Sequence, residues 1–242
     1  MTKIYAHRGA SGYAPENTLE AFALAAEQGA QGVELDVHLS KDGEVVVAHD
    51  EQVDRVSDGE GLLVDMTVAE LKKLTFSRVM PEFAPCRMPT LREVFELLKP
   101  TGLEVNVELK TNAIAYEDIE RKCVDLAAEM GMTERVLYSS FNHYSLLKIK
   151  EIDRSLPCGL LYEATMVWPW KYAKEIGMEA LHPHFYQLMV PSFTHNAHKE
   201  KILVNPWTVN REEDLRWVFD CGADIVITNY PDRALEILRE RG

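Results

Sequence analysis

Short apolar runs rich in β-branched residues alternate with longer segments of helical periodicity along most of this chain. This alternation is typical of parallel β/α units and argues against a sandwich or a helical bundle. Eight of the runs are predicted to be strands. They cover residues 3–7, 32–36, 103–109, 136–140, 158–162, 180–184, 202–206 and 224–228.

Amphipathic segments separate many of the predicted strands. Apolar residues recur at helical spacing over residues 18–28, 91–98, 117–130, 144–152 and 212–221, with a last helix over 232–239. Eight strands tied to helices within 242 residues match the size of a (β/α)8 TIM barrel. A doubly wound open sheet is the alternative, but no G-x-G-x-x-G follows the first strand. We therefore expect an α/β fold in which residues 1–242 form one barrel domain.

One stretch interrupts this rhythm. Residues 50–89 lie between the second strand and its helix and contain many Asp, Gly and Pro residues, which favour turns. They include one short helical pattern near 68–74. Active sites of such barrels are built from the loops at the C-terminal ends of the strands. We expect this small insertion to form part of the pocket rim.

Charge and cysteine content restrict the partners and the compartment. Acidic residues outnumber basic ones 39 to 26, a net charge of -13, which argues against binding to nucleic acid or stable association with an anionic membrane. The cysteines have no C-x-x-C spacing, and neither a signal peptide nor a membrane-spanning run is visible. We expect a cytoplasmic protein that acts on a small molecule. Its oligomeric state is not predicted.

Acidic side chains share one face near the ends of two predicted strands. Side chains alternate along a strand, so Glu34 and Asp36 point to the same side, and Glu108 and Lys110 lie near the same rim on the next parallel strand. Three carboxylates make an all-oxygen site that suits a hard divalent ion such as Mg²⁺ or Ca²⁺. The alternative is an internal salt-bridge network of Glu34, Glu108, Arg8 and Lys110.

Two histidines fall at the same rim. His7 closes the first predicted strand, and His49 ends an apolar run that begins at Val45. Each could be a structural histidine. Two imidazoles that exchange protons near neutral pH also suit general acid and general base roles.

Six separated motifs occur in the order found in a known family. The chain resembles the glycerophosphodiester phosphodiesterase family through His7-Arg8-Gly9-Ala10, Pro15-Glu16-Asn17-Thr18, Glu34-Leu35-Asp36-Val37, Asp42-Gly43, His49-Asp50 and Val107-Glu108-Leu109-Lys110. The resemblance implies a barrel with a small insertion after strand two that hydrolyses glycerophosphodiesters to sn-glycerol 3-phosphate and an alcohol. The short insertion is similar to that of the cytoplasmic bacterial members.

The resemblance also implies roles for individual residues. It makes Glu34, Asp36 and Glu108 the ligands of Mg²⁺ or Ca²⁺, His7 and His49 the acid-base pair, and Arg8 and Lys110 the phosphate contacts. One position departs from the family, because many members carry Thr-Asp where this chain has Thr228-Asn229.

Other residues admit two interpretations. Glu16 and Asn17 either cap the first helix or brace the catalytic groups. The aromatic residues after strands five to seven either bury helix ends or contact the alcohol, and Trp207 is the predicted substrate contact among them. A phospholipid-cleaving enzyme of the same fold and a non-catalytic metal- or phosphate-binding barrel are the alternative functions. The sequence leaves open whether water or the glycerol 2-hydroxyl is the nucleophile.

Overall fold

The computed structural model describes residues 2–83 and 85–241. Residues 1, 84 and 242, which fall within the predicted 1–242 domain and 50–89 insertion, lie outside the described residues. The strands are β1 (Lys3–His7), β2 (Gly32–Leu39), β3 (Val45–Val47), β4 (Glu104–Leu109), β5 (Val136–Ser140), β6 (Cys158–Tyr162), β7 (Ala180–Pro183), β8 (Leu203–Val204) and β9 (Ile225–Thr228).

The helices follow the strands in sequence, apart from α2, which lies in the long β3–α3 connection. They are α1 (Leu19–Glu27), α2 (Val68–Leu71), α3 (Leu91–Leu98), α4 (Ile119–Glu129), α5 (His143–Ile152), α6 (Pro169–Glu175), α7 (Phe193–Lys199), α8 (Glu212–Asp220) and α9 (Pro231–Arg239). The longest of them, α4, has 11 residues. No helix in the described part of the chain has the length and hydrophobicity needed to cross a membrane.

Eight parallel strands form a nearly closed barrel, which confirms the predicted fold. The strand order is β8-β7-β6-β5-β4-β2-β1-β9. Backbone hydrogen bonds from Asp224 N to Val204 O (2.9 Å) and from Ile227 N to Pro206 O (3.1 Å) join the two ends of this order. All eight predicted strands are present, three with the predicted bounds (residues 3–7, 136–140 and 158–162) and five with ends that differ by one to three residues. The carboxyl ends of the parallel strands therefore meet on one face.

Three elements were not predicted from the sequence. Strand β3 pairs antiparallel with the end of β2, where Val37 lies opposite Val47, and this pairing extends β2 to Leu39. A three-residue strand is too short to give a periodic signal. Helices α6 and α7 have only seven residues each, and neither has a side-chain N-cap, so the sequence carries few of the usual start signals.

Side-chain caps explain where several other helices begin. The Thr18 hydroxyl accepts a hydrogen bond from Ala21 N at the start of α1. Thr90 and Glu93 form a reciprocal capping box at the start of α3, which satisfies two backbone N–H groups that a helix start leaves free. These caps fix where the helices begin after the loops that carry the site.

The segment between β3 and α3 has a small hydrophobic cluster of its own. It contains α2, which ends at Leu71 rather than at the predicted 74, and two short 3₁₀ turns. Buried Val53, Leu63, Leu71 and Phe76 pack in this cluster against Val46 of β3. The segment is thereby anchored to the barrel hairpin that precedes His49.

Candidate active site

One pocket at the carboxyl ends of the strands contains most of the predicted site residues. Its volume is about 110 Å³. Six of its lining residues were predicted from the sequence, and the rest come from β4, β6, β9 and the loops after β5 and β6. The pocket is lined by His7, Arg8, Glu34, His49, Asn106, Glu108, Phe141, Leu161, Glu163, Trp207 and Ile227.

Three buried carboxylates converge at this pocket, as the alternation of strands predicts. Oxygen atoms of Glu34, Asp36 and Glu108 all lie within 4.8 Å of one another. In the register, Asp36 of β2 lies opposite Glu108 of β4. Burial, together with the charges of Asp36 and Glu108, raises the pKa of Glu34 well above its usual value. Burial and the charge of Asp36 likewise raise the pKa of Glu108 to about 7.

Two cations contact this acidic cluster. Lys110 Nζ lies 2.9 Å from Glu108 Oε1 and 3.6 Å from Asp36 Oδ1, and Arg8 Nε lies 3.4 Å from Asp36 Oδ2. Burial raises the pKa of Asp36, but Arg8 and Lys110 outweigh that effect and hold it below its usual value. The predicted ion-pair network is therefore present in part.

The cations do not satisfy the cluster. Burial is the largest cause of the raised pKa values of Glu34 and Glu108, and the charges of neighbouring carboxylates raise them further. Asp36 Oδ1 is buried and has no hydrogen-bond partner among the described residues, and the same is true of Asn106 Oδ1. Carboxylate oxygens in this arrangement suit a hard divalent cation. The residues present therefore fit a divalent cation site.

The turn after β1 gives Arg8 its position. Gly9 has φ +80°, and a Cβ there would lie 2.6 Å from the backbone of Ala21 in α1, so only glycine fits. Arg8 itself has φ 56°. Its backbone N–H donates to Glu34 Oε2 at 3.0 Å. The first loop is thus held against the acidic cluster through both the backbone and the side chain of Arg8.

His7 has a neutral partner. Its Nδ1 lies 2.7 Å from Asn229 Oδ1, an atom that can only accept, so Nδ1 carries the proton and Nε2 keeps its lone pair. Nε2 lies 3.9 Å from Glu34 Oε2. Burial, followed by the charge of Arg8, lowers the pKa of His7 to about 3. The imidazole is therefore uncharged at neutral pH.

His49 has a charged partner. Its Nδ1 lies 2.6 Å from Asp50 Oδ1, and Asp50 Oδ2 accepts from Arg55 Nε at 2.5 Å. Burial alone would raise the pKa of Asp50, but the hydrogen bonds from Arg55 and His49 lower it. A carboxylate that accepts a hydrogen bond from Nδ1 orients the imidazole ring.

Arg55 also connects the two halves of the site. Its guanidinium donates to both oxygens of Glu16, at 2.7 and 3.0 Å, and Glu16 Oε1 also accepts from Arg8 Nη1 at 3.0 Å. The contacts form a continuous chain from Arg8 through Glu16, Arg55 and Asp50 to His49. A loop after β1 and a loop after β3 are thereby fixed relative to each other.

Of the two interpretations of Glu16 and Asn17, the structure shows bracing. Asn17 Nδ2 donates to Asp36 Oδ2 at 2.9 Å, and Glu16 pairs with Arg8 and Arg55. Thr18 is the residue that caps α1.

Aromatic and aliphatic side chains form the opposite side of the pocket. The rings of Trp207 and Phe141 are perpendicular, with centroids 5.5 Å apart. The indole Nε1–H of Trp207 donates to the His182 carbonyl at 2.7 Å. Among the other aromatic candidates, Trp170 and Phe185 are buried in the core, while Trp168 and Tyr186 are exposed. Trp207 is the candidate of this group that lines the pocket.

Several residues around the site were not predicted to have a role. Asn229 was noted only as a departure from a family pattern, and Asp50 only as part of a motif. Arg55 and Glu163 carry no periodic signal because each lies in a loop. His38, buried in β2, contacts the His49 carbonyl through Nε2 at 3.2 Å. These contacts join residues that are far apart in sequence or lie in irregular segments.

Comparison with known proteins gives one consistent family. The model of the glycerophosphoryl diester phosphodiesterase family matches residues 7–233. A glycerophosphodiester phosphodiesterase of Caldanaerobacter subterraneus subsp. tengcongensis is 43% identical over 242 residues, 100% of this chain and 99% of that protein. A glycerophosphodiester phosphodiesterase of Bacillus altitudinis is 36% identical and aligns over 99% of each chain.

Solved structures with the same fold agree with this result. A phosphodiesterase of Oleispira antarctica, solved in complex with the product sn-glycerol-3-phosphate, superposes with a TM-score of 0.87 at 29% identity. The superposition covers 99% of this chain and 97% of that one. A crystal structure from Silicibacter pomeroyi, described as a glycerophosphoryl diester phosphodiesterase, gives a TM-score of 0.92 at 24% identity, over 100% and 94% of the two chains. At that identity it supports the fold.

Proposed function

The chain belongs to the glycerophosphoryl diester phosphodiesterase family, and on this premise we propose that its pocket hydrolyses glycerophosphodiesters to sn-glycerol 3-phosphate and an alcohol. The observation that carries the proposal is the convergence of three buried carboxylates with two differently partnered histidines at one pocket. A small anionic diester needs positive charge within a protein of net charge -13, and the site has the residues to concentrate it.

Glu34, Asp36 and Glu108 are the proposed ligands of a divalent cation, with Mg²⁺ or Ca²⁺ as the candidates. When bound, the cation offsets the negative charge on the phosphate oxygens and orients the diester. Asn17 supports the ligand Asp36 by donating to its Oδ2. Such support fixes the direction of a ligand carboxylate.

Arg8 and Lys110 are the proposed phosphate contacts. Arg8 lines the pocket, and its guanidinium is held between Asp36 and Glu16. The Lys110 ammonium lies on Glu108 and Asp36, and the charges of these two residues raise its pKa above the usual value against the opposing effect of burial. Both side chains therefore stay charged at neutral pH and reduce the cost of bringing a phosphate next to three carboxylates.

His7 is the proposed general base. Its uncharged ring presents the lone pair of Nε2, while Asn229 keeps the proton on Nδ1. It accepts the proton of the nucleophile, which is either water or the glycerol 2-hydroxyl. The latter would give a cyclic phosphate before the final monoester.

His49 is the proposed general acid. Asp50 accepts a hydrogen bond from its Nδ1 and orients the ring. Nε2 can then donate a proton to the oxygen of the departing alcohol. The two histidines thus differ in the charge of their partners, an amide for His7 and a carboxylate for His49.

A chelator experiment tests the proposal. Purified protein is stripped with a chelator, reloaded with Mg²⁺ or Ca²⁺, and supplied with glycerophosphocholine, and sn-glycerol 3-phosphate is detected with a coupled dehydrogenase. We expect release only from the reloaded protein, and strong loss in Glu34→Gln. Full activity in excess chelator would refute the proposed cation site.

A further inference from the structure

We propose that Glu163, together with the aromatic rings of Phe141 and Trp207, forms a subsite for a positively charged alcohol. The chain is then selective for glycerophosphodiesters whose alcohol carries an ammonium group over those with a neutral polyol. This inference rests on the proposed function, because it names the substrate class of the same pocket.

The charges of the pocket are divided between its two sides. On the phosphate side, Arg8 is paired with Glu16 and Asp36. On the other side, Glu163 lines the pocket from the end of β6. Within residues 2–83 and 85–241, no Lys, Arg or His nitrogen lies within 4.0 Å of its carboxylate. An acid without a partner attracts a cation into this part of the pocket.

Apolar side chains that line the same pocket as Glu163 suit a weakly hydrated cation. Phe141 and Trp207 present aromatic surface, and Leu161 and Ile227 are aliphatic. Aromatic faces attract ammonium groups through the ring quadrupole. The Trp207 N–H is already donated to the His182 carbonyl, so the indole offers its apolar surface rather than a hydrogen bond. The hydroxyls of a polyol would find few partners along this wall.

The backbone of Glu163 is held in place. Gln187 Nε2 donates to the Glu163 carbonyl at 2.6 Å, and Gln187 is itself buried in the turn after β7. Tyr162, the residue before Glu163, is the last residue of β6. Glu163 is therefore the first residue of the loop after β6, with its backbone held by Gln187 and its side chain exposed at the rim of the pocket.

Replacing the Glu163 carboxylate by an uncharged amide of the same size tests the subsite. Values of kcat/KM are measured for metal-loaded wild type and Glu163→Gln on glycerophosphocholine and on glycerophosphoglycerol, whose alcohol is neutral. We expect Glu163→Gln to reduce the choline-to-glycerol ratio by about three- to fivefold, as for the loss of a partly exposed ion pair. Higher salt screens the Glu163 charge, so it should lower the choline-to-glycerol ratio of wild type toward the ratio of the variant.

Two further variants serve as controls. Glu134 is an exposed acid just before β5, at the opposite end of the barrel, and Glu134→Gln changes the net charge equally but should leave the ratio as in wild type. Trp207→Leu should lower the ratio because it removes the ring. An equal loss on both esters in Glu163→Gln would overturn the subsite.

Binding of the alcohol alone gives a readout independent of turnover. Choline is titrated by calorimetry against its uncharged isostere, in which a tert-butyl group replaces the trimethylammonium. Wild type should bind choline more tightly than the isostere, and Glu163→Gln should remove that difference. Equal affinities in wild type would overturn the subsite. If no ester is hydrolysed by metal-loaded wild type, the proposed function fails, and the titration alone then decides the subsite.

Discussion

Asn229 holds His7 through a neutral amide, with its Oδ1 2.7 Å from Nδ1 of the imidazole. The second histidine of the pocket, His49, instead faces the carboxylate of Asp50 at 2.6 Å. The two rings therefore have partners of different charge, and burial and the charge of Arg8 lower the pKa of His7 so that its ring stays uncharged.

Replacing that amide by an acid should shift the pH dependence of activity. In Asn229→Asp a carboxylate next to Nδ1 favours the imidazolium and raises the pKa of His7 from its value of about 3. The acid limb of the kcat profile should then move to higher pH, because the base is lost at a higher pH. A profile with the same acid limb as wild type would show that His7 is not the titrating base.

The two histidines should respond differently to the leaving group. His49→Ala should reduce kcat by roughly 10² to 10⁴ on glycerophosphocholine and much less on a nitrophenyl ester, whose alcohol leaves without a proton. His7→Ala should reduce both rates, because the nucleophile needs activation with either ester. The opposite pattern would mean that His7 is the acid and His49 the base. If both variants lost only a few-fold in rate, neither histidine would have an acid or base role.

Arg55 should influence His49 without touching substrate. Arg55→Gln breaks the contacts with Asp50 and Glu16, and a pair this exposed is worth about 1 kcal/mol at most. We expect about a fivefold loss of kcat on glycerophosphocholine and a smaller loss on the nitrophenyl ester, in the pattern of His49→Ala.

The matched control for Arg55→Gln is Arg92→Gln. Arg92, an arginine about as exposed as Arg55, pairs with the exposed Glu129 on the outer helices, so its loss should affect both esters little. If Arg55→Gln slowed both esters equally, or lowered only the melting temperature, Arg55 would have a purely structural role.

Cation binding should compete with protons. Burial and the charge of Asp36 raise the pKa of Glu108 to about 7 and also raise that of Glu34. Glu108 therefore binds a proton below neutrality, and both acids must be deprotonated to hold the cation. The affinity for Mg²⁺ or Ca²⁺, measured by calorimetry, should rise between about pH 5 and about pH 7. The rise should be up to about tenfold per pH unit for each proton that binding releases. An affinity independent of pH would contradict this account.

The same cation should stabilise the fold. At 100 times the dissociation constant, mass action predicts about 2.7 kcal/mol, which should raise the melting temperature of wild type and of Glu134→Gln. Glu108→Gln should show a much smaller rise. A melting temperature that does not respond to saturating cation would count against the site.

The fold was predictable because buried parallel strands leave a strong sequence signal. Val136–Ser140 and Cys158–Tyr162 are predicted with the bounds that the structure shows, since such strands are short runs of apolar and β-branched residues. Strand β3 and helices α6 and α7 were missed because three or seven residues are too few to show a period. Their positions are set by pairing with β2 and packing on the barrel.

The site was predictable where strand geometry determines it. Because side chains alternate along a strand, Glu34 and Asp36 were expected on one face of β2, and the parallel strand β4 brings Glu108 beside them. The roles of these three residues as ligands stay predictions. The partner of His7 could not be derived, because Asn229 is 222 positions away and only closure of the barrel joins them. Glu163 was missed because an acid in a loop carries no pattern.

Phosphorus NMR of glycerophosphocholine hydrolysis tests the central claim most directly, because it identifies which ester bond is broken. With metal-loaded protein we predict that the diester resonance is replaced by that of sn-glycerol 3-phosphate, with one equivalent of free choline, and that chelator stops the conversion. Formation of phosphocholine and glycerol, or conversion at the same rate in excess chelator, would contradict the account.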